Sequence, residues 1–201
     1  MARKTYHHGN LKNALLSAAE KLLEDVGVSA VTMREVAKEA GVSHTAPYRH
    51  FTDKRALLSS LTQIGFQRLT AAMQDCVVKA KDDPLKQFQQ STLAYMRLAT
   101  RYPEMTNLMF GGLLKPFDSD EKLFEASNKA FAELLSIIRN GQDAGIFADK
   151  DTRSLAIATW SQVHGLSLLV TAKYMGDMSK KDLERLTLEV IDLLFNGLKA
   201  E

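Results

Sequence analysis

Hydroxyl, imidazole and cationic side chains gather in one short stretch near the start of the chain. Thr32 and Ser43 stand where the pattern places helix starts, and Tyr48, His50 and Lys54 follow on one side of the next segment. These groups donate hydrogen bonds to phosphate oxygens, and the backbone N–H groups at a helix start favour the same anions. The stretch therefore predicts contacts with a phosphate backbone.

Short side chains separate those donors. His44, Thr45 and Ala46 come directly after Ser43, and we expect them at the exposed tip of the segment. Thr45 and Ala46 are small enough to touch a thymine methyl group, and His44 or Thr45 can bond a base edge. The order of residues predicts that this tip faces the bases of double-stranded DNA.

Other reactive side chains support neither catalysis nor a metal. Cys76 has no histidine or other base near it in sequence, so it is interpreted as a small packed hydrophobe. The His7-His8 pair has no Cys, Asp or Glu at ligand spacing, which favours a flexible anion-seeking arm. The chain is therefore predicted to be no enzyme and to need no cofactor.

Two helices joined by a tight turn must hold the polar stretch. A first helix is predicted between Asn10 and Gly27, and Thr32 begins a second helix that Gly41 ends. Ser43 then offers the start of a third helix after a very short turn. A helix, a short turn and a second helix form the motif that places its second helix in the major groove.

The remainder of the chain is predicted to be helical, with no convincing strand. Apolar periodicity and Pro or Gly breaks indicate helices over 53–81, 85–101, 103–110, 120–143, 152–174 and 180–198. We therefore expect an all-α protein with a DNA-binding domain over 1–55 and a ligand-binding and dimerisation domain over 56–201.

Composition and charge agree with a folded protein in a reducing cytoplasm. The 201 residues are 45% hydrophobic and 25% charged, and their single cysteine has no partner for an intrachain disulfide. Residues 1–55 carry nine Lys or Arg against six acids, whereas the remainder carries 17 against 18. The first ten residues lack the apolar region of a secretory signal, and the apolar stretch 155–170 is too short and too polar to cross a bilayer.

The run from Thr32 to Leu58, TMREVAKEAGVSHTAPYRHFTDKRALL, resembles the N-terminal signature of the tetracycline-repressor (TetR) family of bacterial regulators. The resemblance covers residues 10–60. It implies that Thr32, Ser43, Tyr48, His50 and Lys54 hold phosphates while His44, Thr45 and Ala46 face bases. Thr45 and Pro47 depart from the residues that many members carry there, and Pro47 is expected to bias Ala46 away from helical dihedral angles.

The body of the chain resembles a subgroup of that family that carries a Trp-x-x-x-His-Gly element, here Trp160 to Gly165. His164 is open to two interpretations: a buried histidine satisfied by a neighbour, or a group that faces a ligand. The same choice between plain core and pocket lining applies to the other candidates, Tyr95, Met109, Phe110, Phe124, Phe131 and Trp160.

The last two predicted helices indicate a dimer. Helix 152–174 is apolar all round and helix 180–198 has a broad apolar face, so a second copy is needed to cover both in a four-helix interface. The resemblance implies the same arrangement, and the two-fold symmetry of a homodimer would match a roughly palindromic operator.

The expected function is that of a repressor, which a small-molecule ligand releases from its operator. A ligand that tilts helix 53–81 would change the spacing of the two DNA-reading segments. Three alternatives remain: a transcriptional activator, a ligand-binding helical protein whose head no longer binds an operator, and an enzyme hidden in the body. The last lacks a nucleophile or an acid–base set.

Overall fold

The structure is a computed structural model that describes residues 8–115 and 120–196. These residues form eight α-helices, one 3₁₀ turn and no strand, which confirms the all-α prediction. The elements are α1 (His8–Val26), α2 (Met33–Glu39), the 3₁₀ turn (Pro47–Arg49), α3 (Lys54–Ala80), α4 (Pro84–Arg101), α5 (Pro103–Phe110), α6 (Glu121–Asp143), α7 (Thr152–Thr171) and α8 (Lys180–Asn196). Of the predicted histidine arm, His8 begins α1 and His7 lies outside the described residues. The predicted end of the last helix, beyond residue 196, also lies outside them.

Side-chain caps fix several helix starts where the sequence supplies Asp. The backbone N–H of Ala56 donates to Asp53 Oδ1 over 2.8 Å before α3, and that of Ser154 donates to Asp151 Oδ2 over 2.7 Å before α7. These bonds satisfy N–H groups that have no partner within the helix. The hydrogen bonds from Ser154 lower the pKa of Asp151, so the cap is present at neutral pH.

The chain divides into two compact units. The first comprises Met1–Gly65 with Tyr102–Ala126, and the second comprises Phe66–Arg101 with Ser127–Glu201. Helix α3 therefore contributes its first turns to one unit and its later turns to the other. The division into a DNA-binding domain over 1–55 and a ligand-binding and dimerisation domain over 56–201 remains a prediction.

The first unit is built around α1. This helix packs against α2 and α5, and the 3₁₀ turn packs against α2. Its core is formed by aliphatic side chains that are fully buried, among them Leu15, Leu23, Val31, Val36 and Leu57. Burial of these side chains fixes the short α2 on a longer helix, because α2 is too short to be stable alone.

The second unit is built from α4, α7 and α8, which pack against one another. Three phenylalanines close one end of its core: the rings of Phe88, Phe147 and Phe195 lie with centroids 5.1–5.2 Å apart. Gly141 in α6 leaves the space that the Phe147 ring occupies. Among the described residues, no helix is both long and apolar enough to span a membrane.

Helix α7 is only partly covered within the single chain. The sequence predicts that one chain covers one side of this helix and that a second copy covers the other, and Ile157, Leu168 and Leu169 are exposed in the single chain. The helix also ends at Thr171 rather than at residue 174, because Lys173 takes a left-handed conformation with φ 59° and redirects the backbone. The single chain thus leaves part of the α7 surface uncovered.

Candidate functional site

Helix α2 begins as the sequence predicts. Thr32 lies in an extended conformation, and its Oγ1 accepts a hydrogen bond from the backbone N–H of Glu35 over 3.2 Å. The Thr32 hydroxyl proton is not needed for this cap, so it can be donated to an external oxygen. Thr32 is exposed, which is the geometry that a phosphate contact at a helix start requires.

The turn after α2 is set by Gly41. The N–H of Val42 donates to Ala37 O over 2.9 Å, and the N–H of Gly41 donates to Lys38 O over 3.1 Å, the paired bonds of a Schellman motif. This motif needs a left-handed residue, and Gly41 has φ 67°. The turn ends α2 sharply and leads the chain into the next segment.

The segment after this turn is shorter than predicted. The sequence indicates a third helix starting at Ser43, but only Pro47–Arg49 is helical, as a single 3₁₀ turn. Successive bonds run from Ala46 N to Ser43 O and from Arg49 N to Ala46 O, over 3.0 and 3.2 Å. Pro47 has no N–H to donate to Ser43 O, so an α-helix through this segment would lack a bond that the 3₁₀ turn does not need.

Two expectations about Ala46 are wrong. Its dihedral angles are helical, with φ −61° and ψ −42°, so Pro47 does not move it out of the α region. Its side chain is only 7% exposed, whereas the sequence places it at an exposed tip. The tight 3₁₀ turn directs the methyl group of Ala46, together with the ring of Pro47, into the core of the unit.

The exposed tip consists of Ser43, His44 and Thr45. The hydroxyls of Ser43 and Thr45 lie 3.2 Å apart and share a hydrogen bond. Ser43 does not cap the 3₁₀ turn, whose N-terminal residue has no side-chain cap. Polar side chains on an exposed turn of this kind can approach a base edge.

The donors beyond the tip differ in their availability. Tyr48 is 58% exposed, and its hydroxyl can reach an external group. In contrast, Nε2 of His50 is buried without a hydrogen bond, so His50 would have to bind a phosphate through Nδ1. Lys54 donates from Nζ to Val28 O over 2.9 Å, which uses one of the three protons of its ammonium group.

Arg49 adds a cation outside the set of contacts predicted from the sequence. It is exposed in the 3₁₀ turn between Tyr48 and His50. A guanidinium group at this position can bind phosphate through two donors at once. The position of this cation within the polar stretch is a sequence signal for a phosphate contact. Its exposure depends on the short 3₁₀ turn, which the sequence did not indicate.

Four of the seven candidate ligand residues lie together in the second unit. The Tyr95 hydroxyl lies 2.7 Å from Nδ1 of His164, and the His164 ring centroid lies 6.4 Å from that of Trp160. Phe131 adds a ring 6.2 Å from Trp160. The residues come from α4, α6 and α7, so tertiary packing and not sequence adjacency forms the cluster.

The other three candidates, Met109, Phe110 and Phe124, belong to the first unit. Met109 is fully buried, and a side chain at Gly65 would lie only 2.6 Å from its sulfur, so α3 and α5 approach closely at this glycine. Met109 therefore packs in the core of the first unit, and a role in lining a ligand pocket remains a prediction. Phe124 is largely exposed in the first turn of α6.

Burial keeps the Tyr95–His164 pair uncharged. Burial raises the pKa of Tyr95, although hydrogen bonds to Trp160 and Ser167 oppose this effect. Burial also lowers the pKa of His164 from its ordinary value of 6.5. Both rings are therefore neutral near pH 7 and can exchange hydrogen bonds with a polar group without carrying a formal charge.

Burial disfavours the reactive thiolate form of the cysteine, and the described carboxylates belong to no metal-binding group. Burial raises the pKa of the Cys76 thiol, which lowers its thiolate fraction. Between residues 8 and 115 and between 120 and 196, no three His, Cys, Asp or Glu side chains are grouped so that they could hold a metal ion.

Two family models match this chain. The model described as "Bacterial regulatory proteins, tetR family" matches residues 15–61, and the model described as "Tetracyclin repressor-like, C-terminal domain" matches residues 88–194. The first match contains the polar stretch from Thr32 to Lys54. The second contains the Tyr95–Trp160–His164 cluster and most of the helices of the second unit.

Individual proteins show the same likeness. The chain is 27% identical over 157 residues to the nucleoid occlusion factor SlmA of Edwardsiella ictaluri (strain 93-146), covering 75% of this chain and 78% of that one. It is 37% identical over 90 residues to the class A tetracycline repressor protein from transposon 1721 of Escherichia coli, covering 41% and 40%. A solved structure from Rhodococcus sp. RHA1, of a protein with unknown function, is 31% identical, with a TM-score of 0.85 and coverage of 98% and 100%.

Proposed function

This chain belongs to the tetracycline-repressor (TetR) family of DNA-binding transcriptional regulators, which are not enzymes, and we propose that it is a repressor released from its operator by a small molecule. The proposed active form is a homodimer on a roughly palindromic operator. The observation that carries the proposal is the exposed polar tip that follows the Gly41 turn, flanked by donors suited to phosphate.

We assign the phosphate contacts to Thr32, Ser43, Tyr48, His50 and Lys54, with Arg49 as an addition. Base contacts are assigned to His44 and Thr45, whose side chains are exposed at the tip. Phosphate contacts position the protein and base contacts select the sequence. Burial of Ala46 reduces the base-reading surface to two side chains, so the shape of the DNA would contribute to the preference.

Uncovered apolar surface supports the homodimer. Helices α7 and α8 pack against each other, and large apolar side chains remain about half exposed on both: Ile157 44%, Leu168 50%, Leu169 46% and Leu193 49%. A second copy would cover these side chains in an interface of four helices, two from each chain. A dimer of this kind would present two DNA-reading tips related by a two-fold axis.

We place the effector at the cluster of Tyr95, Trp160 and His164, lined further by Phe131. Apolar walls with a few convergent polar groups are typical of small-molecule sites. Trp160, His164 and Gly165 also carry the Trp-x-x-x-His-Gly element, and we propose that the chain belongs to the subgroup with this element. Effector binding would shift the dimer towards a form in which the two tips no longer match the operator.

Selection of bound fragments from genomic DNA tests the proposed function. Purified protein should retain a small set of fragments that share a two-fold motif, and Thr45→Ala should change that motif. A reporter gene behind the selected fragment should be silenced by the protein. Activation of the reporter would identify an activator, and retention of no fragment would identify a ligand-binding protein without operator binding.

The likeness to a nucleoid occlusion factor favours a second candidate function, in which the chain acts on the nucleoid and not on single genes. It rests on 27% identity over 78% of that protein. The same selection separates the two candidates. A few sites beside genes would support the repressor, and many sites dispersed over the chromosome would support the second function.

A further inference from the structure

Helix α5 takes its N-terminal cap from a residue far away in sequence. Tyr102 occupies the cap position, but its side chain does not cap the helix. Instead, the carboxylate of Glu24, at the end of α1, accepts from the backbone N–H of Met105 over 2.8 Å and from that of Glu104 over 3.3 Å. One carboxylate thereby satisfies two N–H groups that lack partners within α5.

Opposing effects act on the pKa of the Glu24 carboxyl group. Partial burial raises the pKa of Glu24, and the nearby carboxylates of Glu20 and Glu104 act in the same direction. The two backbone N–H groups of α5 lower it again. A half-buried carboxylate needs such donors, and the positive end of the helix dipole adds to the attraction. The contact is therefore a charge-assisted bond between α1 and α5.

The end of α1 is also where the DNA-reading segment is attached. Helix α1 packs against α2, and Gly27, with φ 95°, ends α1 and opens the loop to α2. The carbonyl of Val28 in this loop accepts the hydrogen bond from Lys54 at the start of α3. Within one unit, the starts of α5 and α3 thus contact the last turn of α1 and the loop that leads into α2.

We propose that Glu24 is a positioning residue for operator binding. Its carboxylate ties the last turn of α1 to the start of α5, so that the position of α5 fixes the orientation of α2 and of the tip formed by Ser43, His44 and Thr45. The inference rests on the proposed binding of a two-fold operator. Such an operator requires both tips of a dimer in a defined orientation, whereas non-specific binding requires only cationic surface.

This role predicts a selective loss. In Glu24→Ala both hydrogen bonds are lost, and the dissociation constant for the selected operator fragment should rise roughly tenfold, the size of a typical coupling between elements. Glu24→Gln retains one acceptor oxygen and should fall between this variant and the wild type. Affinity for a random duplex at low ionic strength should stay within about twofold of the wild type, because no phosphate contact has changed.

Asp25→Asn provides the matched control. It removes the same charge one residue later, at an exposed side chain in the same helix. Operator affinity should be unchanged in this variant. Equal losses in Asp25→Asn and Glu24→Gln would mean that only net charge matters, and they would overturn the proposal.

A second variant pair separates the tie from simple capping of α5. Tyr102→Ser introduces a local N-cap residue, which should restore the stability of α5 in a Glu24→Ala background without restoring its bond to α1. We expect the melting temperature to recover and the operator affinity to remain low. Recovery of operator affinity in the double variant, with Tyr102→Ser alone behaving as wild type, would show that Glu24 acts only as a cap and would refute the positioning role.

The wild-type measurement distinguishes the two levels of failure. Wild-type protein that selects no operator fragment contradicts the proposed function itself. Wild-type protein that binds its fragment with the same affinity as folded Glu24→Ala and Glu24→Gln leaves the proposed function intact and contradicts the positioning role.

Discussion

At the scale of single residues, side chains with the same predicted role have unequal freedom to perform it. Tyr48 is exposed, His50 has one buried ring nitrogen, and Lys54 already donates to a carbonyl. Residue type and spacing predict which groups can donate to a phosphate. Packing then determines which of their atoms remain available.

Lys54→Ala tests the phosphate assignment. The variant should bind every duplex more weakly, and the slope of log affinity against log salt should fall by about one per protomer, because one fewer counterion is released. Fluorescence anisotropy over a salt series measures both quantities. Lys79→Ala is the control, since Lys79 is an exposed cation later in α3 that pairs with Asp75 over 2.6 Å. Identical salt slopes for wild type and Lys54→Ala would rule out the assigned contact.

His164 predicts a pH dependence of stability. Burial lowers the pKa of His164 in the folded chain below 6.5, so the unfolded chain binds the proton more readily. The contribution of neutral His164 is therefore fully present above about pH 6.5 and is lost as the pH falls through the lower folded value. The effect should be modest because the ring is only partly buried.

Thermal unfolding between pH 5 and 8 measures this contribution. Wild type should lose more stability on acidification than His164→Gln, which keeps a polar side chain but cannot titrate. Emission of Trp160, the only tryptophan in the chain, reports on the same cluster at each pH. Parallel pH profiles for the two proteins would show that the histidine does not titrate as described.

At the scale of elements, local sequence signals predicted most helix boundaries. They failed where a tertiary contact determines the boundary or the cap of a helix. Thr32, Gly41 and Pro84 mark boundaries through their own chemistry, so the sequence suffices there. The 3₁₀ turn in place of a third helix depends on Pro47 and on burial of Ala46, which periodicity does not report. The Glu24 cap of α5 joins residues 80 positions apart, and no local pattern indicates it.

Two glycines predict opposite results for the same substitution. Gly41→Ala forces an alanine into φ 67° in otherwise open space, and should destabilise the protein by about 1–2 kcal/mol. Gly165→Ala lies inside α7, also in open space in the single chain, where alanine should stabilise by up to about 1 kcal/mol. Chemical denaturation of both variants measures the difference. A loss of stability in Gly165→Ala would contradict the expectation drawn from the open space at this position.

At the scale of the whole molecule, the apolar surface of α7 and α8 leads to a test of the dimer. Leu168→Glu or Leu193→Glu would bury a charge without a partner in the proposed interface, and the dimer dissociation constant should rise at least about tenfold. Val78→Glu is the matched control, because Val78 is 74% exposed on α3. Sedimentation velocity over a concentration series distinguishes the variants. Dimers of unchanged strength in both leucine variants would place the interface elsewhere.

The family and the helical architecture were predictable from sequence because a continuous run, 32–58, carries dense local information. The proposed effector site was predictable only in part. Three of the predicted residues, Tyr95, Trp160 and His164, lie close together in the structure. Residue type and spacing gave no reason to exclude Met109, which is buried elsewhere in the chain. Its place is determined by Gly65, which lets α3 and α5 approach closely.

Titration of the wild-type protein into its selected operator duplex, followed by anisotropy at low and raised salt, tests the central claim most directly. We predict saturation at a whole number of dimers per duplex, with affinity that falls steeply as salt rises and exceeds the affinity for a random duplex at every salt concentration. Equal affinity for the operator and the random duplex, or no binding at low ionic strength, would contradict the assignment of the segment from Thr32 to Lys54 as the DNA-reading element.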